Sequence, residues 1–139
     1  MENVIPSPFY RVSVKALIFD NQKRLLVFQD SEGKYEMPGG GWEHGESLDE
    51  CITRELKEEM LIVPGTIGAV QFVYSGQHEK GYHKMCVAVP VVPVSYEFVP
   101  NGDGLVAARF VTREEFLQIR FQVNEQAVRD YVDQIWPES

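Results

Sequence analysis

Residues 38–62 read Pro-Gly-Gly-Gly-Trp-Glu-His-Gly-Glu-Ser-Leu-Asp-Glu-Cys-Ile-Thr-Arg-Glu-Leu-Lys-Glu-Glu-Met-Leu-Ile, a glycine-rich loop running into a helix crowded with carboxylates. Ser47 followed three residues later by Glu50 is a capping box, with Leu48 as the first apolar residue. At about 100° per residue, Cys51, Ile52 and Leu56 fall within about 80° of Leu48 and define an apolar face. Glu55 and Glu59 fall within about 20° of Leu48, inside that face, and Glu58 sits at its rim. Lys57, Glu50 and Thr53 take the opposite, watery side. A solvated run of charge would put its acids beside Lys57, so these carboxylates are expected to face the fold.

Carboxylates taken out of water repel one another unless something positive compensates them. Glu55, Glu58 and Glu59 are spaced i, i+3, i+4, so their side chains can converge. An oxygen-only donor set on one face suits a hard divalent cation, Mg²⁺ or Mn²⁺. The plainer alternative is a surface helix laced by salt bridges to Arg54 and Lys57.

The spacing Gly40-x5-Glu46-x7-Arg54-Glu55-Leu56-x-Glu58-Glu59 resembles the Nudix box, G-x5-E-x7-R-E-U-x-E-E-x-G-U, with U a bulky aliphatic residue. Pro38-Gly39-Gly40 and Glu43-x-Gly45-Glu46 match the usual surroundings of that box. One position departs from it: Leu61 stands where the family has glycine, and Ile62 fills the last aliphatic place. A left-handed conformation there costs a residue with a side chain roughly 1–2 kcal/mol. Leu61 is therefore expected to stay helical, with the helix stopped at Val63 by Pro64. The carboxylates precede the departure and should keep their arrangement.

The resemblance implies an α/β fold, an α/β/α sandwich around a mixed β-sheet, on a single domain spanning 1–139. It implies metal-dependent hydrolysis of a nucleoside diphosphate linked to another moiety. By position, Glu55, Glu58 and Glu59 would bind Mg²⁺ or Mn²⁺ with help from the Gly39 carbonyl, and Glu55 is the base candidate. Arg54 would orient a neighbouring glutamate, Glu46 would be a supporting carboxylate, and Gly39, Gly40 and Gly41 would let the backbone approach the substrate. A further acid outside the box is placed at Asp103, with Glu79 and Glu97 as rivals. Markers for ADP-ribose or diadenosine polyphosphate cleavage do not line up: Gln77 and His78 occupy the place of the expected proline. A nucleoside triphosphate, a nucleotide sugar and a non-nucleotide diphosphate all stay open as substrates. The rival readings are a nucleotide-binding or regulatory module without turnover, and an RNA-processing enzyme.

Composition narrows these. The 139 residues carry a net charge of −8, which opposes nucleic-acid binding and leaves an anionic substrate in need of a bridging cation. No apolar run approaches the roughly 18–20 residues of a membrane span, and the first residues lack the pattern of a signal peptide. A cytoplasmic location and no membrane partner are expected, and a homodimer is compatible with the sequence. Cys51 and Cys86 read as inert core thiols.

Along the chain, residues 11–19 alternate as a strand with both faces covered, and Arg24–Gln29 is expected to return beside it as a hairpin. Tyr35–Met37 is a short strand leading into a Pro-Gly-Gly turn, and Trp42 is read as core packing. Ile67–Ser75 and Tyr82–Val94 are long strands, the second placed at an edge by Pro90 and Pro93. A turn at 101–104 precedes a last strand, 105–111. Thr112 with Glu115 caps a short helix through about Ile119, and Asn124 caps a final amphipathic helix. His78 and His83, without a recognisable metal spacing, are read as solvated.

Overall fold

Residues Tyr10–Leu17 form strand β1, and its alternation decides the layering of the molecule. In the computed structural model, which describes residues 7–99 and 107–138, β1 is followed by β2 (Leu25–Gln29), β3 (Tyr35–Glu36), β4 (Gly39–Gly41) and α1 (Leu48–Met60). Then come β5 (Pro64–Ile67), β6 (Phe72–Gln77), β7 (His83–Pro93), β8 (Ala107–Val111), α2 (Arg113–Phe116) and α3 (Glu125–Ile135). A five-stranded mixed sheet has the path β4-β1-β7-β5, with β6 also paired to β7; a three-stranded sheet has the order β3-β2-β8. Among the described residues, only the β1–β7 pairing within the larger sheet is parallel.

Val14, Ala16 and Ile18 pack with Cys51, Ile52, Leu56 and Met60 of α1 and with Val89 and Val91. Leu17, on the other face of β1, joins Phe72, Tyr74, Cys86 and Ala88 beneath Phe116, Val128, Val132 and Trp136. Strand β2 divides in the same way, Leu26 and Phe28 to the first core and Leu25 and Val27 to the second. Helices thus cover both sides of a mixed sheet, the expected α/β layering. Both cysteines are buried and free.

The caps hold as read. Ser47 Oγ accepts from the Glu50 N–H (3.1 Å) while Glu50 Oε1 accepts from the Ser47 N–H (3.0 Å). Thr112 and Glu115 repeat the exchange at α2, and Asn124 Oδ1 accepts from the Ala127 N–H (3.2 Å) at α3. Helix α2 ends at Phe116, short of Ile119.

Other readings need correction. Residues Asp20–Arg24 do turn the chain, but β1 and β2 meet only through the Phe19–Leu25 bridge and then diverge into different sheets, so they are not a hairpin. The three glycines are not a turn: Gly39, Gly40 and Gly41 form β4, antiparallel to Lys15, Val14 and Ser13. The stretch 67–75 is two strands separated by residues 68–71, each pairing with its own part of β7. Strand β7 is central, and Pro90 lies opposite Leu17, the last residue of β1, where a missing N–H interrupts little of the ladder. Gly68 leaves room for that ring, since a Cβ there would come within 2.7 Å of Pro90 Cγ. The turn expected at 101–104 lies outside the described residues.

Leu61 is the main correction. It takes the left-handed conformation itself, φ 55° and ψ 31°, and ends α1 directly after Met60. The Leu61 N–H donates to the Lys57 carbonyl (3.1 Å) and the Ile62 N–H to that of Leu56 (3.2 Å), satisfying two orphan carbonyls of the last turn. The turn buries Ile62 against α1 and leaves Leu61 52% exposed. Pro64 does not stop the helix; it opens β5.

Candidate active site

The site is built where β4 passes under α1. Gly39 has φ +141°, and a Cβ there would fall 1.9 Å from the Val14 carbonyl oxygen. A Cβ on Gly40 would fall 2.4 Å from the Glu55 carboxylate. These two glycines therefore let strand β4 press against β1 on one side and against the helix carboxylates on the other. Glu59 Oε1 accepts a hydrogen bond from the Gly39 N–H at 2.8 Å. Glu55 and Glu59 are half-buried and Glu58 is exposed at the rim, the order that helical period gives.

Arg54 joins loop to helix. Its Nε and Nη2 donate to the two oxygens of Glu46 (3.0 and 2.7 Å), a bidentate pair. Nη1 donates to Glu55 Oε1 (2.8 Å) and reaches Glu58 Oε2 (3.4 Å), and Nη2 donates to the Gly41 carbonyl (2.9 Å). Glu46 also accepts from the Glu43 N–H (2.9 Å). The Arg54 bonds, with that backbone N–H, hold the Glu46 carboxyl down at about 2. The same bonds keep Arg54 firmly charged. Burial pushes the Glu59 carboxyl the other way, up to about 7, against the pull of Lys15 and the Gly39 N–H. Beside Glu46 and Arg54, burial raises the Cys51 thiol to about 12, which makes it inert.

As these side chains stand, no three His, Cys, Asp or Glu residues among those described are disposed to hold a metal ion. The hydrogen bonds explain this: Arg54 engages Glu55 and Glu58, and Glu59 is turned onto Gly39. The donor chemistry nevertheless fits a hard divalent cation. All the donors are oxygens, and half-buried Glu59, whose carboxyl burial pushes up despite the pull of Lys15, would be compensated by a further cation beside it.

An open cleft of about 590 Å³ adjoins this arrangement, lined by Phe9, Tyr10, Arg11, Trp42, His44 and Glu46, among others. Trp42 is not a core residue. It is 37% exposed, donates its Nε1–H to the Glu46 carbonyl (2.9 Å) and lines the cleft. Of the distal acids, Asp103 lies outside the described residues, Glu79 pairs with Lys34 (3.3 Å) and Glu97 is exposed. His78 stacks on Tyr82 and His83 meets Tyr10 edge-on.

Sequence reasoning missed a buried charge cluster on the opposite face of β1. Lys15 is 1% exposed and pairs with Glu36 (3.3 Å), and Lys84 shares the cavity. The available signal was a lysine between Val14 and Ala16, in a strand read as covered on both faces.

The sequence model of the NUDIX domain matches residues 9–131. Over 124 residues the chain is 27% identical to an ADP-ribose pyrophosphatase of Methanocaldococcus jannaschii, covering 87% of this chain and 72% of that relative. Over 130 residues it is 23% identical to Nudix hydrolase 2 of Arabidopsis thaliana, covering 89% of this chain and 47% of the plant protein. Among solved structures, the NUDIX domain of Shewanella oneidensis NrtR, determined in complex with ADP ribose, matches with a TM-score of 0.74. That match covers 97% of this chain and 95% of the other at 18% identity, and so shows a shared fold.

Proposed function

The chain belongs to the Nudix family, and from that membership we propose that its β4–α1 site hydrolyses the diphosphate of a nucleoside diphosphate joined to a sugar. It is a hydrolase of diphosphate bonds in nucleotide-linked compounds, and we place this activity on a single domain. The observation that carries the reading is the contact of α1 with β4: Glu55 over Gly40, Glu59 on the Gly39 N–H, and Arg54 binding Glu46, Glu55 and the Gly41 carbonyl. The sugar-linked substrate is favoured over the triphosphate by the archaeal relative, an ADP-ribose pyrophosphatase, and by the ADP ribose bound to the structural neighbour.

Glu55, Glu58 and Glu59, with the Gly39 carbonyl, would hold Mg²⁺ or Mn²⁺. When bound, such an ion supplies charge neutralisation of the diphosphate and acidification of a water molecule. Glu55 is the group we assign to take the proton from the attacking water as the phosphorus–oxygen bond of the linkage breaks. Arg54 fixes Glu55 through Oε1 and ties it to Glu46, so base and loop keep one geometry. The cleft beside Trp42 and Tyr10 is where we place the ring-bearing part of the substrate. Loss of Trp42 should raise KM about tenfold with little change in kcat, since stacking on an aromatic face contributes roughly 1–3 kcal/mol.

The test is a panel of nucleotide sugars, dinucleoside polyphosphates, nucleoside triphosphates and simple diphosphates, each with Mg²⁺ and with Mn²⁺. A nucleoside diphosphate sugar should give the highest kcat/KM. A triphosphate as best substrate would overturn the sugar assignment. Silence across the panel would favour the nucleotide-binding module, the second reading that the glycine-to-leucine change at Leu61 keeps open.

A further inference from the structure

Beneath β3 and the segment 121–123, the described residues enclose a cavity of about 10 Å³, lined by Lys15, Tyr35, Glu36, Tyr74, Lys84, Cys86 and Gln122, among others. That is room for about one water molecule or one ligand oxygen. The pairing of β1 with β7 sets Arg11 beside Lys84 and Ser13 beside Cys86, which puts Lys15, Lys84 and Cys86 on one face of the sheet. This is the face turned away from α1, yet Lys15 pairs in register with Gly39, whose N–H holds Glu59. Lys15 also lies near enough to Glu59 for its charge to pull on that carboxyl, which relates the cavity to the carboxylate site.

Its polar groups are incompletely satisfied. Lys15 is buried with Glu36 as its ion-pair partner at 3.3 Å, and its Nζ makes no hydrogen bond among the described residues. An ammonium has three protons to donate, and leaving them unsatisfied out of water is costly. Lys84 adds a second cation, and Lys15 close by disfavours its protonated form. The two ammonium groups meet the carboxylates of Glu36 and Glu59, yet the Lys15 protons are left without an acceptor in hydrogen-bond geometry. A purely structural ion pair would satisfy its donors.

We propose that Lys15 and Lys84 form an anion subsite that receives a phosphoryl oxygen of the substrate. The inference rests on the assignment of diphosphate hydrolysis to the neighbouring carboxylates. It gives an acidic protein a fixed positive anchor of its own for the substrate. The oxygen belongs either to the diphosphate that is cleaved or to an additional phosphate carried by the substrate.

The first test is calorimetric titration of inorganic pyrophosphate into the protein in EDTA, which removes any contribution of divalent ions. Wild-type protein should bind, and K15M should bind at least about tenfold more weakly, because a charge-assisted contact is lost. The melting temperature of K15M should fall, since Glu36 loses its ion-pair partner, and binding is therefore compared well below both melting temperatures. Absence of pyrophosphate binding by wild type, or equal binding by K15M, overturns the subsite. So does a large fall in melting temperature with unchanged binding, the result expected of a structural ion pair. Should K15M not fold, K84M carries the same comparison.

Kinetics separate the two sources. A raised KM of K15M on both a nucleoside diphosphate sugar and a nucleoside triphosphate marks the cleaved diphosphate. A raised KM on the triphosphate alone marks the additional phosphate, and an unchanged KM on both overturns the proposal. A wild-type enzyme without turnover refutes the hydrolase assignment, whereas turnover with an unaltered K15M refutes only the lysine subsite.

Discussion

Leu61 holds a left-handed backbone with its side chain half in water, so it bears a conformational cost with little packing in return. Leu61→Gly should stabilise the protein by about 1 kcal/mol, the left-handed penalty of roughly 1–2 kcal/mol less the added freedom of an unfolded glycine. A rise of about 3–5 °C in melting temperature would show it; a fall would mean that the leucine side chain makes a contact worth more than the strain. At this scale the sequence was informative wherever helical period governs. The ordering of Glu55 and Glu59 inward, Glu58 at the rim and Lys57 outward followed from about 100° per residue. It was uninformative where burial depends on distant partners. Lys15 looks like any alternating polar residue, and only Glu36, Lys84 and Tyr74, brought in by β3, β7 and β6, make it a buried charge.

Among the elements, the three-residue strand β4 carries the most consequence for its size. A methyl group on either of two adjacent glycines meets different matter. At Gly39 it meets the Val14 backbone at 1.9 Å and a positive φ, so Gly39→Ala should cost about 3 kcal/mol or more in denaturant unfolding. At Gly40 its nearest neighbours are the carboxylate atoms of Glu55, the far end of a side chain that can move aside at the expense of its Arg54 contact, so Gly40→Ala should cost about 1–2 kcal/mol. Yet Gly40→Ala should lower kcat by about a hundredfold, because the displaced carboxylate is the proposed base. A stable, fully active Gly40→Ala would contradict that placement of Glu55. Glycine has no side chain to register a period of two, and pairing with β1 reaches back some two dozen residues, so the sequence suggested a turn at these positions. The same blindness to pairing explains the supposed hairpin of β1 and β2, which local alternation permits and the two-sheet arrangement forbids. Capping boxes, whose partners lie three residues apart, were legible at both α1 and α2.

For the molecule as a whole, several carboxylates are held below their usual range. At Asp20 and Asp30 burial favours the neutral form, but hydrogen bonds from Arg24, and from Lys34 and Gln122, outweigh it. Thr112 and Arg109 lower Glu115, and Arg54 lowers Glu46 to about 2. With these folded-state values depressed, the unfolded chain takes up protons first on acidification, so their stabilising contribution is complete above about pH 4.5 and is lost toward pH 2. Melting temperature should fall through that window, and Glu46→Gln should flatten the fall; a curve unchanged down to pH 2 would show that these contacts do not form. The overall layering was legible because each long element announces the faces it buries, as the two sides of β1 did. The division of the strands into two sheets was not, because pairing is decided by partners far along the chain.

The assignment of the α1 carboxylates as the working centre of a diphosphate hydrolase is tested most directly by one comparison. Hydrolysis of ADP-ribose is followed with Mg²⁺ or with EDTA, in wild type and in Glu59→Gln, a change that removes a charge and almost no volume. Wild type should turn over only with the metal, and the variant, with a melting temperature within about 3 °C of wild type, should lose on the order of a hundredfold or more in kcat. Turnover of Glu59→Gln near the wild-type rate, or equal wild-type turnover in EDTA, would contradict the assignment.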